Sequence, residues 1–221
     1  MTTAYPAFSD IDLEKLMLKF FRNILLVICA SLVLFSCTSS IINLKYEDGH
    51  MVSKRHGLSY AAAPLNYQPV SVGDPYAYYE KADLTLYEIK GLDPRKWLTE
   101  EFSGASTTVF YSDEIALPTL RELGANKILI CLEGEVVYSL GTIEDTAIIN
   151  KVIDLFENGE AVEWPLIDSI RRYELKFYSE DNYPHIYFNL SYGEFPEGKF
   201  IYDRSTKRCV EIGALLDEYI G

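Results

Sequence analysis

Histidine, cysteine, methionine and tryptophan are all scarce in this chain: 3, 4, 3 and 2 among 221 residues. The familiar catalytic spacings are missing too. There is no G-x-S-x-G, S-x-x-K or H-E-x-x-H, no glycine-rich phosphate loop and no C-x-x-C. The nearest approach to a nucleophile elbow, Gly57-Leu58-Ser59-Tyr60-Ala61, lacks its second glycine. Positive charge is in the minority, with 20 Lys and Arg against 33 Asp and Glu and a net charge of −13. Such a chain repels a polyanion unless a local basic patch dominates, so no nucleic-acid partner is expected. At 48% apolar and 24% charged residues, the composition excludes a mostly disordered, a collagen-like or a polytopic membrane chain. The apolar stretch Ile24–Phe35 has twelve residues, short of the roughly 20 that a spanning helix takes.

What is present begins with that stretch. Lys19 and Arg22 precede it, and Thr38, Ser39 and Ser40 follow. A basic start, a short apolar core and a small residue before the cut describe a secretory signal. Leu34-Phe35-Ser36-Cys37 resembles the lipobox of bacterial lipoprotein signals, with Phe35 where that pattern prefers a smaller residue. The resemblance implies that residues 1–36 are removed and that Cys37 becomes the lipidated N-terminus. The protein would then sit at the extracytoplasmic face of the cell membrane. An uncleaved single-pass anchor is the alternative. Asp10, Asp12 and Glu14 are foreign to a signal, whereas a chain starting at Met17 is basic first and acid-free. Met17 is therefore the expected true start.

Cys131 and Cys209 each lie in a strand-like run. Outside the cytosol a disulfide between them is permitted, provided their Cα atoms come within roughly 7 Å. Two buried free thiols are the reading adopted, since an unpaired Cys behaves as a small core residue.

Residues 37–80 hold Gly49, Gly57, Pro64, Pro69, Gly73 and Pro75 and show no sustained periodicity. A flexible tether is expected there. Residues 81–221 read as a single α+β domain. Leu84, Leu86 and Ile89 mark a strand, and Asp93-Pro94 opens a short helix through Leu98. Thr107–Tyr111 is β-rich, and Leu117-Pro118 starts a turn that Gly124 closes. Lys127–Leu132 and Glu135–Leu140 form a hairpin around Glu133-Gly134. Thr142 caps an amphipathic helix whose stripe is Ile148, Ile149, Val152, Ile153 and Phe156, and Asn158-Gly159 supplies a left-handed stop. A meander follows, with strands at Arg172–Ser179, Pro184–Tyr192, Lys199–Asp203 and Arg208–Ile212, then a short helix at Ala214–Tyr219. The expected architecture is an antiparallel sheet, hairpin plus C-terminal meander, with the helix packed on one face. This order, over about residues 125–220, resembles small domains of unknown function in lipoproteins of Gram-positive bacteria, and the resemblance carries no catalytic residues with it.

His50 and His56, near Met51 and Asp48, read either as a transition-metal site or as solvated linker residues; the linker reading is adopted, with no metal or cofactor expected. His185 opens a strand and is expected to pack or face water. The acidic pairs Glu100/Glu101, Asp113/Glu114, Glu144/Asp145 and Glu180/Asp181 suit turns and helix starts better than a catalytic dyad. Tyrosine is the one excess, at 17. In the alternation of Tyr173, Leu175 and Phe177 against Glu174, Lys176 and Tyr178, the second set faces away from the helix. Tyr178 and Tyr187 on that outer face are the candidate binding surface. The function expected is a lipid-anchored, non-catalytic module contacting an envelope protein or polymer. An envelope hydrolase or transferase with an unrecognised site is the alternative. If the cell reads the lipobox, radiolabelled palmitate enters the wild-type protein and not Cys37→Ser. Label in neither, with intact chain in the cytosol, contradicts the assignment.

Overall fold

The computed structural model describes residues 41–101, 107–132, 139–165 and 169–220. The segment read as a signal, Met17, Cys37 and the turn expected at Glu133-Gly134 lie outside the described residues.

The described chain starts directly in strands. β1 (Ile42–Asn43) and β2 (Lys45–Glu47) form one extended stretch joined through Leu44. β1 runs parallel to β6 (Val72–Tyr79), with Ile42 opposite Ala77, and the Leu44 amide donates to the Tyr78 carbonyl at 2.8 Å. β2 runs antiparallel to β3 (His50–Ser53). The ladder continues through β4 (Leu58–Ala62), β9 (Val109–Ser112), β8 (Trp97–Glu100) and β7 (Leu84–Ile89) back to β6. The stretch that opens the sheet therefore also closes it, and the sheet becomes a small barrel. Leu44, at the joint, is buried with Met51, Leu58, Tyr60, Ala77, Leu86, Leu98 and Phe110, which together fill the interior.

Residues 42–79 are thus not the tether expected over 37–80. These strands are mostly two to five residues long, too short to show a period of two. Gly49 and Gly57, two of the glycines that suggested a linker, make turns between them, while Gly73 lies inside β6. Asp48 and Gly49 both have positive φ, 50° and 88°, as a two-residue type I′ hairpin requires. Pro75 lies where the β6–β7 register shifts, a place where a strand tolerates proline.

The second sheet is antiparallel throughout. Its order is β11 (Ser139–Ile143), β10 (Lys127–Leu132), β12 (Arg171–Tyr178), β13 (Ile186–Phe195), β14 (Gly198–Tyr202) and β15 (Cys209–Glu211). β5 (Tyr67–Pro69) also pairs with β13, so the chain leaving the barrel at Ala62 stitches straight into this sheet. The hairpin and meander are present, with β11 placed later than Glu135–Leu140. Only one α-helix occurs among the described residues, α1 (Thr146–Asn158), with Ile149, Val152, Ile153 and Phe156 buried. The fold is α+β.

Several local expectations give way to better-paired alternatives. Thr142 belongs to β11, and Asp145 is the N-cap, its carboxylate accepting from the Ala147 amide at 2.8 Å and the Ile148 amide at 3.4 Å. Gly159 is extended rather than left-handed (φ −67°, ψ 159°). A side chain there is excluded by space, because a Cβ would lie 2.4 Å from the Leu155 carbonyl oxygen. Asp93-Pro94 opens one hydrogen-bonded turn, after which Trp97 and Leu98 enter β8 because both are needed in cores. The Ala214–Tyr219 segment makes successive turns instead of a helix.

One large core lies between the second sheet and α1. The outer side of the barrel wall adds Ile89, Trp97 and Val109 to it. Cys131 and Cys209 are both buried free thiols, so the disulfide that the sequence allowed is not formed. They stand on β10 and β15, four strand steps apart, or roughly 19 Å at the usual spacing. Removing an interior barrel side chain should cost far more than removing a cap. Leu98→Ala is expected to lower the unfolding free energy by about 2–5 kcal/mol, and Asp145→Ala by about 1 kcal/mol, in urea denaturation. A Leu98→Ala variant as mild as the cap variant would contradict the closed barrel.

Candidate functional site

The face of the second sheet turned away from α1 is set by strand register. β12 and β13 pair Phe177 with Phe188 toward the core, so the next pair, Tyr178 and Tyr187, points the other way. Lys176 opposite Asn189 and Glu174 opposite Ser191 share that outer face. Cys131 joins it from β10, opposite Glu174, and Tyr202 from β14, opposite Ser191.

The two candidate tyrosines are brought together. Their ring centroids are 5.5 Å apart, and both residues are partly exposed. The Tyr178 hydroxyl donates to the Pro184 carbonyl at 2.9 Å, which fixes its ring. Burial pushes the Tyr187 phenol above its ordinary value.

The residues beside them are not the solvated row that alternation implied. Glu174 and Lys176 are each 1% exposed. The Lys176 ammonium lies 3.9 Å from the Glu174 carboxylate and 5.5 Å from the centre of the Tyr187 ring. It has no hydrogen-bond partner, and neither has Asn189 Oδ1 on the paired strand. Burial holds the Lys176 amine below its ordinary value, opposed by the Glu174 charge. Arg204 donates to the Ser191 hydroxyl at 2.9 Å and approaches Glu174 at 3.6 Å. Burial also raises the Cys131 thiol. The face ends in a second aromatic group. Trp164 packs against Phe195 and Tyr202, each at 5.0 Å, and closes over Gly193, where a Cβ would meet its ring at 2.8 Å. Tyr187 and Ser191, the neighbour of Tyr202, are four residues apart, so the two aromatic ends are separated by about 13 Å along the strand.

A groove of about 890 Å³ opens where the barrel meets the second sheet. Ala62, Leu65, Tyr67 and Phe156 give it apolar walls, and Asp203 and Lys207 add charge. Asp203 is committed to structure: it accepts from the Ser205 amide at 2.7 Å, the Thr206 hydroxyl at 2.9 Å and Asn66 at 3.5 Å. The Tyr67 hydroxyl donates to the Pro118 carbonyl.

The remaining candidates are dispersed. His50 contacts Asp113 at 3.2 Å, His56 contacts the Ser53 hydroxyl at 3.0 Å, and His185 sits against Gly91. Among the described residues no group of three His, Cys, Asp or Glu side chains is placed to hold a metal. Of the acidic pairs, Glu144 and Glu180 are bridged by Lys127 at 3.3 Å and 2.9 Å. Lys176, Asn189 and Arg204 escaped the sequence reading because an alternating strand gives polar residues to solvent by default. Only tertiary packing reveals that the middle of the outer face of β12, at Glu174 and Lys176, is covered.

Comparison with protein-family models, with curated proteins and with solved structures finds no match.

Buried tyrosine and cysteine tie stability to alkaline pH. Burial pushes Tyr67 from 10.0 up to about 12 and Cys209 from 9.0 up to about 11. For an acid raised in the folded state, the stabilisation is complete below the unfolded value and is lost as pH rises to the folded one. Urea midpoints should therefore fall from pH 9.0 upward. Tyr67→Phe should cost about 1 kcal/mol at neutral pH and make the decline between pH 10.0 and about 12 shallower. An unchanged slope in that variant would argue against Tyr67 as a source.

Proposed function

We propose that this chain is a lipid-anchored extracytoplasmic module that binds an envelope protein or polymer and performs no chemistry on it. The observation that carries this reading is the Tyr178–Tyr187 pair, side by side and partly exposed on the face opposite α1. Two tyrosine rings held by packing and by the Pro184 carbonyl offer rigid contact area at low entropic cost. Lys176 and Asn189, on the same strands, are buried, so the tyrosine rings carry the accessible contact area. The second aromatic group, around Trp164 and Tyr202, would let an extended partner contact both ends of the face. A net charge of −13 favours a basic protein or a cation-bridged surface over teichoic or nucleic polymers.

The alternative, an envelope hydrolase or transferase, draws no support from the groove. Asp203, its buried carboxylate, spends its oxygens on the turn that follows it. A photoreactive residue placed at Tyr178 or Tyr187 in intact cells should capture a defined partner. The same residue at Glu157, on α1, should capture none. Equal capture at all three positions would remove the sheet face as a binding site.

A further inference from the structure

We infer that the barrel end at which β1 begins lies against an anionic phospholipid surface. The inference rests on the lipid-anchor reading above and deepens it by assigning the membrane-facing side of the folded body.

Strand direction sorts the barrel loops into two ends. β1, β2, β4, β6 and β8 run one way, and β3, β7 and β9 run the other. The end where β1 starts therefore carries the β3–β4 turn, residues 54–57, and the β7–β8 turn, residues 90–96. Arg95 donates to the His56 carbonyl at 3.5 Å and ties these two turns together. Lys54, Arg55, Lys90, Arg95 and Lys96 are all exposed there. The carboxylates at the same end are Asp74, Asp93, Asp113 and Glu114. Asp93 accepts from the Arg95 amide at 3.0 Å, and Asp113 accepts from Ser59 at 2.7 Å and contacts His50. Among the described residues, the opposite end holds Glu47, Asp48, Glu80, Asp83, Glu100 and Glu101, with only Lys45 and Lys81 as cations. Lys54 reaches Glu47 at 2.7 Å along the barrel side.

Cys37 stands five positions before Ile42. Fully extended, that linker spans only about 17 Å. With that linker less than fully extended, the barrel end comes within about one Debye length, roughly 8–10 Å, of the headgroups, where surface charge acts on it. An acidic body on so short a leash turns its least negative end toward an anionic leaflet, because each cation near that surface is favoured and each carboxylate opposed. The chain enters from that same end, so the leash needs no detour around the barrel.

The test uses the full chain, expressed and processed in cells, then reconstituted into equimolar phosphatidylglycerol and phosphatidylcholine vesicles. Mass spectrometry reads the acyl chains, and lipids brominated near the headgroup quench an added tryptophan. His56→Trp reports one barrel end and Ala82→Trp the other. The expected result is acylation, with emission shifted to the blue and quenched for His56→Trp but not for Ala82→Trp. Combining Arg55→Glu, Arg95→Glu and Lys96→Glu with the probe should abolish that difference. Acylated protein whose two probes are quenched equally, or only at residue 82, overturns the orientation and leaves the anchor standing. Protein without acyl chains that still binds vesicles and is quenched only at residue 56 removes the lipid anchor and keeps the orientation. Protein with neither acyl chains nor vesicle binding removes both.

Discussion

Closure of the barrel through Leu44 is the constraint on which the rest depends. One extended stretch supplies hydrogen bonds to β6 with its first half and to β3 with its second, so neither side of the ladder is left as an unpaired edge. Because the ring is closed, β4 can leave only at its end, and the chain runs from Ala62 into β5 against β13. That short crossing couples the barrel to the second sheet. It places Tyr67 in the large core and opens the groove between the two. The outer wall of the barrel then doubles as one side of that core through Ile89, Trp97 and Val109.

The second sheet has one conventional face and one unusual one. Beneath α1 it is apolar, from Ile128 and Leu175 to Ile201 and Val210. On its far face the middle is polar yet buried. Burying the Lys176 amine without hydrogen bonds costs free energy that Glu174, at 3.9 Å, and the Tyr187 ring offset only in part. Replacing a buried ion pair by apolar residues of similar volume is often neutral or stabilising, so this row adds little to the stability of the fold. The aromatic residues at both ends of the face are held in place by packing, and Tyr178 also by its hydrogen bond to the Pro184 carbonyl.

Sequence reading was dependable where a pattern extended over many residues. The stripe of α1 is buried as its spacing implied, and β7, β10 and the meander lie close to where alternation put them. It failed where elements are short. Glycine and proline over 42–79 were read as linker, although Asp48-Gly49 is a strong two-residue hairpin signal flanked by strands. The helix expected through Trp97 and Leu98 became a strand because barrel pairing outweighs a local turn preference. Tyr178 and Tyr187 were legible as a surface pair, since strand register follows alternation. The burial of Lys176 and Asn189 was not, because it depends on what covers the face.

The amino-acid order by itself determined the acidic charge, the α+β class, the helix stripe and the inward face of the meander. Each of these follows from composition or from a local period that needs no partner. Tertiary structure alone decided that the chain from Ile42 onward is a barrel, that Cys131 and Cys209 stay apart, and that Lys176 is enclosed. These outcomes depend on pairings between residues distant in sequence, such as β1 with β6 and β5 with β13, and no window of neighbouring residues contains them.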